Sequence, residues 1–149
     1  MDMVDGISER TAARADDWIK VQHVLAEYCH AIDEARFADL EPLFTEDAVL
    51  TARLAGTVYR GPSEIRSYLE VQPPGMRGLH ITVNPDIVIE GDEARVRADF
   101  VVMVLRGGAS VVGAWGWYRD RLSYVGGRWL FRERRIETQF RLMDVELAR

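Results

Sequence analysis

Apolar residues recur at helical spacing early in the chain and alternate with polar residues in its second half. Between residues 18 and 32 they stand three or four positions apart, the spacing of one face of an α-helix. These residues are Trp18, Val21, Leu25, Tyr28 and Ile32. Asp16 or Asp17 can cap such a helix. We therefore predict a helix that begins near Asp16, a flexible arm over residues 1–15 and a single domain over residues 16–149.

Two further helices and a strand are predicted before residue 75. A short helix covers residues 39–44 and a strand covers residues 48–54. The next helix starts around Pro62, because proline is favoured at the first helical position. It buries Ile65, Tyr68 and Leu69, and the prolines and glycine at 73–75 end it.

From Gly78 onward, period-two alternation predicts four strands. They cover residues 79–90, 94–106, 109–124 and 129–142. Short glycine-bearing turns separate them, which is typical of antiparallel hairpins. Helices followed by such strands predict an α+β fold, in which the helices of the N-terminal half pack on one face of a bent antiparallel sheet.

Two-residue turns fix the pairing of neighbouring strands. The resulting register places four residues in one row across the sheet: His80, Met103, Val112 and Arg141. Small residues on the same face, such as Ala114 and Gly116, leave space for a cavity. A β-bulge in any strand would shift part of this register.

The opposite face is predicted to be strongly apolar. Its residues are Leu79, Ile81, Val83, Phe100, Val102, Val104, Trp115, Trp117, Ile136 and Phe140. Because the helices can cover only one face, we expect the other to form a homodimer or homotrimer interface.

Charge and composition exclude several classes of function. The chain has 149 residues and a net charge of -5, without a basic run that would bind nucleic acid. It has no apolar stretch of membrane-spanning or signal-peptide type, and a single cysteine, Cys29, which forms no internal disulfide. We expect a cytoplasmic protein.

The three histidines lack metal-ligand spacing, and no phosphate loop or dinucleotide fingerprint is present, so no metal or cofactor is expected.

Three side chains are candidates for chemistry. His80 lies between Leu79 and Ile81, so it is either a hydrogen-bonded structural histidine or a proton carrier in a water-poor cavity. Asp33, at the end of the first helix, is its expected carboxylate partner, although a solvated polar residue is equally typical there. Tyr28 belongs to the apolar face of the helix, which is more typical of a core residue than of a catalytic one, although its hydroxyl needs a partner if it is buried.

Four segments of the chain resemble one family. They are QHVLAEYCHAIDEARFADLEPLFTEDAVL, YRGPSEIRSYL, HITVNPDIVIEGDEARV and GWYRDRLSYVGGRWLFRERRI. Together they are similar to the SnoaL-like group of the nuclear transport factor two superfamily, which includes scytalone dehydratase and bile acid 7-alpha-dehydratase. The resemblance spans about residues 16–142 and implies a curved sheet wrapped by three helices into a cone with an internal pocket.

The resemblance also implies roles for individual residues. Tyr28, Asp33 and His80 match the tyrosine, aspartate and histidine of the dehydratases in order and approximate spacing. Arg141 and Tyr59 match pocket residues that would bind substrate. Met103 and Val112, which the register places in the same row as His80, would then line the substrate site. Met103 also departs from the family, whose dehydratases tend to carry a titratable group there.

The leading hypothesis is a cofactor-free dehydratase that eliminates water from a small cyclic or aromatic carbonyl compound. A ketosteroid-type isomerase is the closest enzymatic alternative. A non-catalytic protein that binds a small apolar ligand is the alternative from another class. A third alternative is the small subunit of a ring-hydroxylating dioxygenase, which requires a large iron-bearing partner.

Overall fold

The computed structural model describes residues 3–52, 56–72 and 77–148, with helices first and most of the sheet afterwards. The helices are α1 (Met3–Asp33), a 3-10 helix (Phe37–Leu43), α2 (Gly61–Glu70) and α3 (Leu142–Leu147). The strands are β1 (Phe44–Ala52), β2 (Thr57–Arg60), β3 (Leu79–Glu90), β4 (Glu93–Arg106), β5 (Ala109–Val125) and β6 (Arg128–Arg141). No helix in these ranges is long and apolar enough to cross a membrane.

The six strands form one curved, unclosed sheet in the order β2-β1-β6-β5-β4-β3. The predicted α+β class is confirmed, and β3 to β6 form the predicted antiparallel meander. One pair differs, since β1 joins β6 in parallel. A parallel pair needs a long connection between its strands, so the local alternation and turn signals did not reveal it.

Several boundaries differ from the predicted ones. Helix α1 begins at Met3, so the start predicted near Asp16 was wrong, and α3 was not predicted. Strand β1 begins at Phe44, four residues before the predicted start, and the preceding helix is of the 3-10 type. The predicted helix end at residues 73–75 lies outside the described residues. The division into a flexible arm and a single domain stays a prediction.

A β-bulge changes the predicted pairing of β3 with β4. Glu90 pairs with Glu93 as predicted, and this register continues to Asp86. It then shifts by one residue at Asn84, whose φ is 52°, and Pro85, which has no N–H for the ladder. Beyond the bulge His80 pairs with Val102 instead of Met103.

Further bulges correct the rest of the predicted row. Met103 pairs with Val112 as predicted, but the next pair joins Val102 to Ala114, and Ala114 pairs with Arg141. The observed row is therefore His80, Val102, Ala114 and Arg141. The two polar ends of the predicted row are retained, whereas Met103 and Val112 were assigned wrongly.

The same bulges correct the predicted faces. Phe100, Val102, Val104 and Ile136 were expected on the outer face. The first three are buried in the core, and Ile136 packs against that core and lines the cavity. The outer face keeps Leu79, Ile81, Val83, Trp115, Trp117 and Phe140 and gains Met103 and Val112, so an apolar surface remains uncovered in the described chain. A second copy of the chain on this surface stays a prediction.

Candidate active site

A cavity of about 550 Å³ lies between the helices and the inner face of the sheet. This volume suits a small organic ligand. Apolar side chains form much of its wall, among them Ile32, Leu69, Phe100, Val102 and Ile136. The polar lining includes five residues predicted from the sequence, namely Tyr28, Asp33, Tyr59, His80 and Arg141. Met103 and Val112 are absent from the lining because of the register shift.

Asp33 and His80 form a hydrogen-bonded pair in the cavity wall. Oδ1 of Asp33 lies 2.6 Å from Nδ1 of His80, and the backbone N–H of His80 donates to the same carboxylate at 3.0 and 3.2 Å. A carboxylate accepts and does not donate, so Nδ1 carries the hydrogen of this contact, and in the neutral form of the ring the lone pair is on Nε2. Within the described chain Nε2 has no hydrogen-bond partner, and it can accept a proton from a ligand.

The C-terminal turn of α1 fixes the position of Asp33. The N–H of Ala35 bonds to the carbonyl of Ile32, and that of Arg36 bonds to the carbonyl of Ala31. These two bonds, with Ala35 at a φ of 55°, form a Schellman motif that ends the helix directly after Asp33. Alanine occupies the left-handed position where glycine is usual.

A second polar contact joins α1 to β3 one turn away from the first. Sγ of Cys29 lies 3.3 Å from Oγ1 of Thr82. Cys29 and Asp33 are four residues apart on the helix, while Thr82 and His80 are two apart on the strand, so each pair shares one face. The two contacts together set the helix against the strand. Burial raises the pKa of the Cys29 thiol, which keeps it protonated.

Tyr28 lines the deep part of the cavity beside Tyr118. The two rings meet edge to face with their centres 6.2 Å apart, and both side chains are almost completely buried. In the described chain neither hydroxyl has a hydrogen-bond partner. Burial raises the pKa of both phenols, so both are neutral donors at physiological pH.

An ion pair that no sequence pattern indicated lies behind these tyrosines. Nη2 of Arg134 donates to Oδ2 of Asp120 at 3.2 Å, and both side chains are fully buried. Burial raises the pKa of Asp120 to about 6, against the attraction of Arg134. Burial acts to lower the pKa of Arg134, but the attraction of Asp120 outweighs it, and the net shift is upward. Both groups are therefore charged at neutral pH.

Tyr59 and Arg141 line another part of the wall. The ring of Tyr59 stacks on Tyr68 with centres 4.1 Å apart. Nε and Nη2 of Arg141 donate to the two carboxylate oxygens of Asp144, at 2.9 and 2.8 Å. Because Asp144 belongs to α3, this helix holds the guanidinium in place while leaving Nη1 able to donate to a ligand.

Several lining residues were missed by sequence reasoning. Tyr68 was assigned to the buried face of α2, and Gln72, Thr138 and Arg77 were not singled out. Thr138 follows Ile136 at the period of a strand, so the alternation of β6 contained a signal for it. Among the described residues no group of three or more histidine, cysteine or acidic side chains could hold a metal ion.

Comparison with known proteins agrees with this architecture. Residues 13–135 match the family model of the SnoaL-like domain. The chain belongs to the SnoaL-like domain family. An uncharacterized protein of Mycobacterium tuberculosis H37Rv, Rv2910c, is 31% identical over 132 residues, which cover 87% of this chain and 89% of that protein.

Solved structures share the fold of this SnoaL-like domain. A variant of Rv3472, a Mycobacterium tuberculosis protein of unknown function, superposes with a TM-score of 0.79 and 26% identity, covering 90% of this chain and 78% of that one. A Novosphingobium aromaticivorans DSM 12444 protein provisionally named a scytalone dehydratase has a TM-score of 0.74 and 22% identity, covering 87% and 89%. The fold is thus that of the cystatin-like, NTF2-like proteins.

Proposed function

We propose that this SnoaL-like domain is a dehydratase that eliminates water from a small cyclic or aromatic β-hydroxy carbonyl compound. The Asp33–His80 pair carries the proposal, because it places an oriented imidazole at the wall of a ligand-sized, largely apolar cavity. The provisional name of the Novosphingobium neighbour is in keeping with this reaction.

His80 serves as the proton carrier in the proposed reaction. Nε2 removes the proton from the carbon next to the carbonyl, and the electron pair of that C–H bond forms an enolate. The imidazolium then returns the proton to the hydroxyl on the β carbon as its C–O bond breaks. The products are water and a conjugated unsaturated carbonyl compound, and His80 is again neutral.

Asp33 orients His80 and stabilises its charged form. Its carboxylate accepts the Nδ1 hydrogen at 2.6 Å throughout the cycle, which fixes the tautomer and lowers the energy of the imidazolium intermediate. The backbone N–H of His80 holds the same carboxylate, so the strand itself positions the acid.

Tyrosine hydroxyls stabilise the enolate oxygen. Tyr28 is the leading donor because it is buried and neutral, and Tyr59 lines the same cavity. Arg141 supplies a further donor for a polar group of the substrate. Loss of one such donor typically costs about 2 to 4 kcal/mol of transition-state stabilisation.

A panel of cyclic and aromatic β-hydroxy ketones tests the proposal. Elimination forms a conjugated carbonyl, which is followed by its ultraviolet absorbance. We expect turnover by the wild type and a fall of about 100-fold to 10,000-fold in His80→Gln. His23→Gln is the matched control, since His23 is exposed on α1 and pairs with Glu27. Equal activity of His80→Gln and wild type, or no turnover of any member, would overturn the proposal.

A non-catalytic binding protein is the second candidate, favoured by the apolar residue beside His80. Val102 occupies the neighbouring position in the sheet row, so no second titratable group assists the imidazole there. Ligand binding that is unchanged in a His80→Gln, Asp33→Asn double variant, together with no turnover, would support this candidate. In heavy water, a product whose mass differs from that of the substrate only by incorporated deuterium would instead indicate an isomerase.

A further inference from the structure

Arg134 lies inside a cage of aromatic rings behind the cavity. Its guanidinium carbon is 3.9 Å from the ring centre of Tyr118, 4.0 Å from that of Tyr28 and 4.5 Å from that of Phe131. The first two rings also line the cavity, whereas Arg134 does not. Each of these two phenol rings thus lies between the positive charge and the cavity.

The protein pairs only part of the hydrogen-bonding capacity of Arg134. Asp120 takes one N–H, from Nη2, while Nε and Nη1 of Arg134 and Oδ1 of Asp120 are buried without a hydrogen-bond partner in the described chain. Leaving buried charged donors unpaired is costly, so these groups need a physical explanation. In this low-dielectric setting the field of the guanidinium reaches the neighbouring rings with little screening.

A guanidinium beside a phenol ring favours negative charge on its oxygen. It therefore strengthens the O–H group as a hydrogen-bond donor to an anionic acceptor. Tyr28 and Tyr118 both receive this effect from the same cation, and their hydroxyls have no hydrogen-bond partner within the described chain. Asp120 opposes the effect, because its negative charge reduces the field of Arg134.

We propose that Arg134 is a positioning residue that polarises Tyr28 and Tyr118 into a paired donor site for an oxyanion in the cavity, with Asp120 moderating its charge. The ligand class is an enolate or a phenolate. The use of this site in catalysis rests on the proposed function, but its affinity for an oxyanion does not. Tyr118 thereby joins Tyr28 as a donor, a role that the sequence analysis did not assign.

Binding of 4-nitrophenol tests this inference without any turnover, because the bound phenolate is recognised by its yellow absorbance. The comparison uses Asp120→Asn and the double variant Asp120→Asn, Arg134→Gln at pH 8, so that residue 120 is neutral in both and no buried charge is left unpaired in the double variant. We expect the ratio of bound phenolate to bound phenol to be about tenfold higher in Asp120→Asn. Arg134→Lys in the Asp120→Asn background restores most of this ratio.

The wild type provides a second comparison. If Asp120→Asn, in which Arg134 has lost its partner, does not fold, the wild type is compared with the double variant and should have the higher phenolate ratio. Removal of the opposing carboxylate should raise the phenolate ratio of Asp120→Asn above that of the wild type, although the same change weakens a buried ion pair. A purely structural pair predicts no rise. Equal ratios in the variants, or no binding of 4-nitrophenol to the wild type, would overturn the inference.

The two proposals fail in different ways. If the phenolate ratio depends on Arg134 but no β-hydroxy ketone is turned over, the donor site is supported and the dehydratase proposal is refuted. If turnover depends on His80 but the phenolate ratio is equal in all variants, the dehydratase proposal is supported and only the role of Arg134 is refuted.

Discussion

Asp33 accepts hydrogen bonds from both the imidazole and the backbone N–H of His80. One carboxylate therefore links the last residue of α1 to the start of β3 and sets the orientation of the imidazole at the same time. Helix and strand reach this contact because the Schellman turn ends α1 at Asp33 and the bulge at Asn84 turns His80 towards the helix. Folding and the proposed chemistry thus depend on the same pair.

We predict that Asp33→Asn lowers kcat for dehydration by about 100-fold to 10,000-fold with a smaller change in KM. Asparagine can turn its amide N–H towards Nδ1, which favours the wrong tautomer of His80 and removes the charge that stabilises the imidazolium. Steady-state kinetics and nitrogen NMR of the His80 ring measure the two effects. Glu27→Gln is the control, since Glu27 is a half-buried acid elsewhere on α1 that pairs with His23. An unchanged kcat in Asp33→Asn would contradict the role of Asp33.

We predict that Asp120 makes stability fall as the pH rises from about 4 to about 6. Burial raises its pKa in the folded state to about 6, from 3.8 in the unfolded chain. Between these values the folded state holds a proton that the unfolded state has released, so raising the pH favours unfolding. This group contributes about 3 kcal/mol to the free energy of unfolding. The contribution is fully present below pH 3.8 and is lost as the pH rises through about 6.

Urea denaturation of wild type and Asp120→Asn across this pH range measures that contribution. On going from pH 7 to pH 3, the wild type should gain about 3 kcal/mol of unfolding free energy relative to Asp120→Asn. Asp92→Asn, in the exposed β3–β4 turn, is the control. A difference that is constant with pH would show that the folded-state pKa of Asp120 is not raised.

We predict that Ala35→Gly raises the free energy of unfolding by about 0.5 to 1 kcal/mol. Glycine adopts the φ of 55° at this position without the steric cost that alanine bears. Ala38→Gly, in the neighbouring 3-10 helix, should instead destabilise because glycine loses more backbone entropy on folding. Chemical denaturation distinguishes the two, and destabilisation by both would contradict a strained turn.

We predict that Trp115→Glu converts a homo-oligomer into a monomer. Trp115 lies on the outer face, is 43% exposed, and has Phe140 and Val101 as cross-strand neighbours. A buried carboxylate at such an interface would be strongly unfavourable. Size-exclusion chromatography with light scattering measures the mass, and Val125→Glu at the β5–β6 turn is the control. A monomeric wild type would contradict this use of the outer face.

Local sequence patterns were enough to predict the α+β class, the four long strands β3 to β6 and the buried face of α1, but not α3 or the parallel pairing of β1 with β6. Period-two alternation and glycine turns gave β3 to β6 nearly to the residue, because both signals act between neighbours in the chain. The three-and-four spacing from Val21 to Ile32 likewise gave the buried face of α1. The pairing of Asp33 with His80 could be predicted, since Asp33 lies at the end of α1 and His80 near the start of β3, and the sequence pattern predicts both of these boundaries.

The tertiary structure decided the register and the interior charges. A bulge at Asn84 and Pro85 replaces Met103 with Val102 beside His80. A proline inside a strand is compatible with a bulge, but the sequence does not say where the pairing shifts or by how many residues. In the sequence, Arg134 is one of several arginines in β6. Only the packing of the folded chain shows that this one is buried among aromatic rings. Local patterns report which face a residue occupies, whereas the burial of a charge depends on what the rest of the chain places around it.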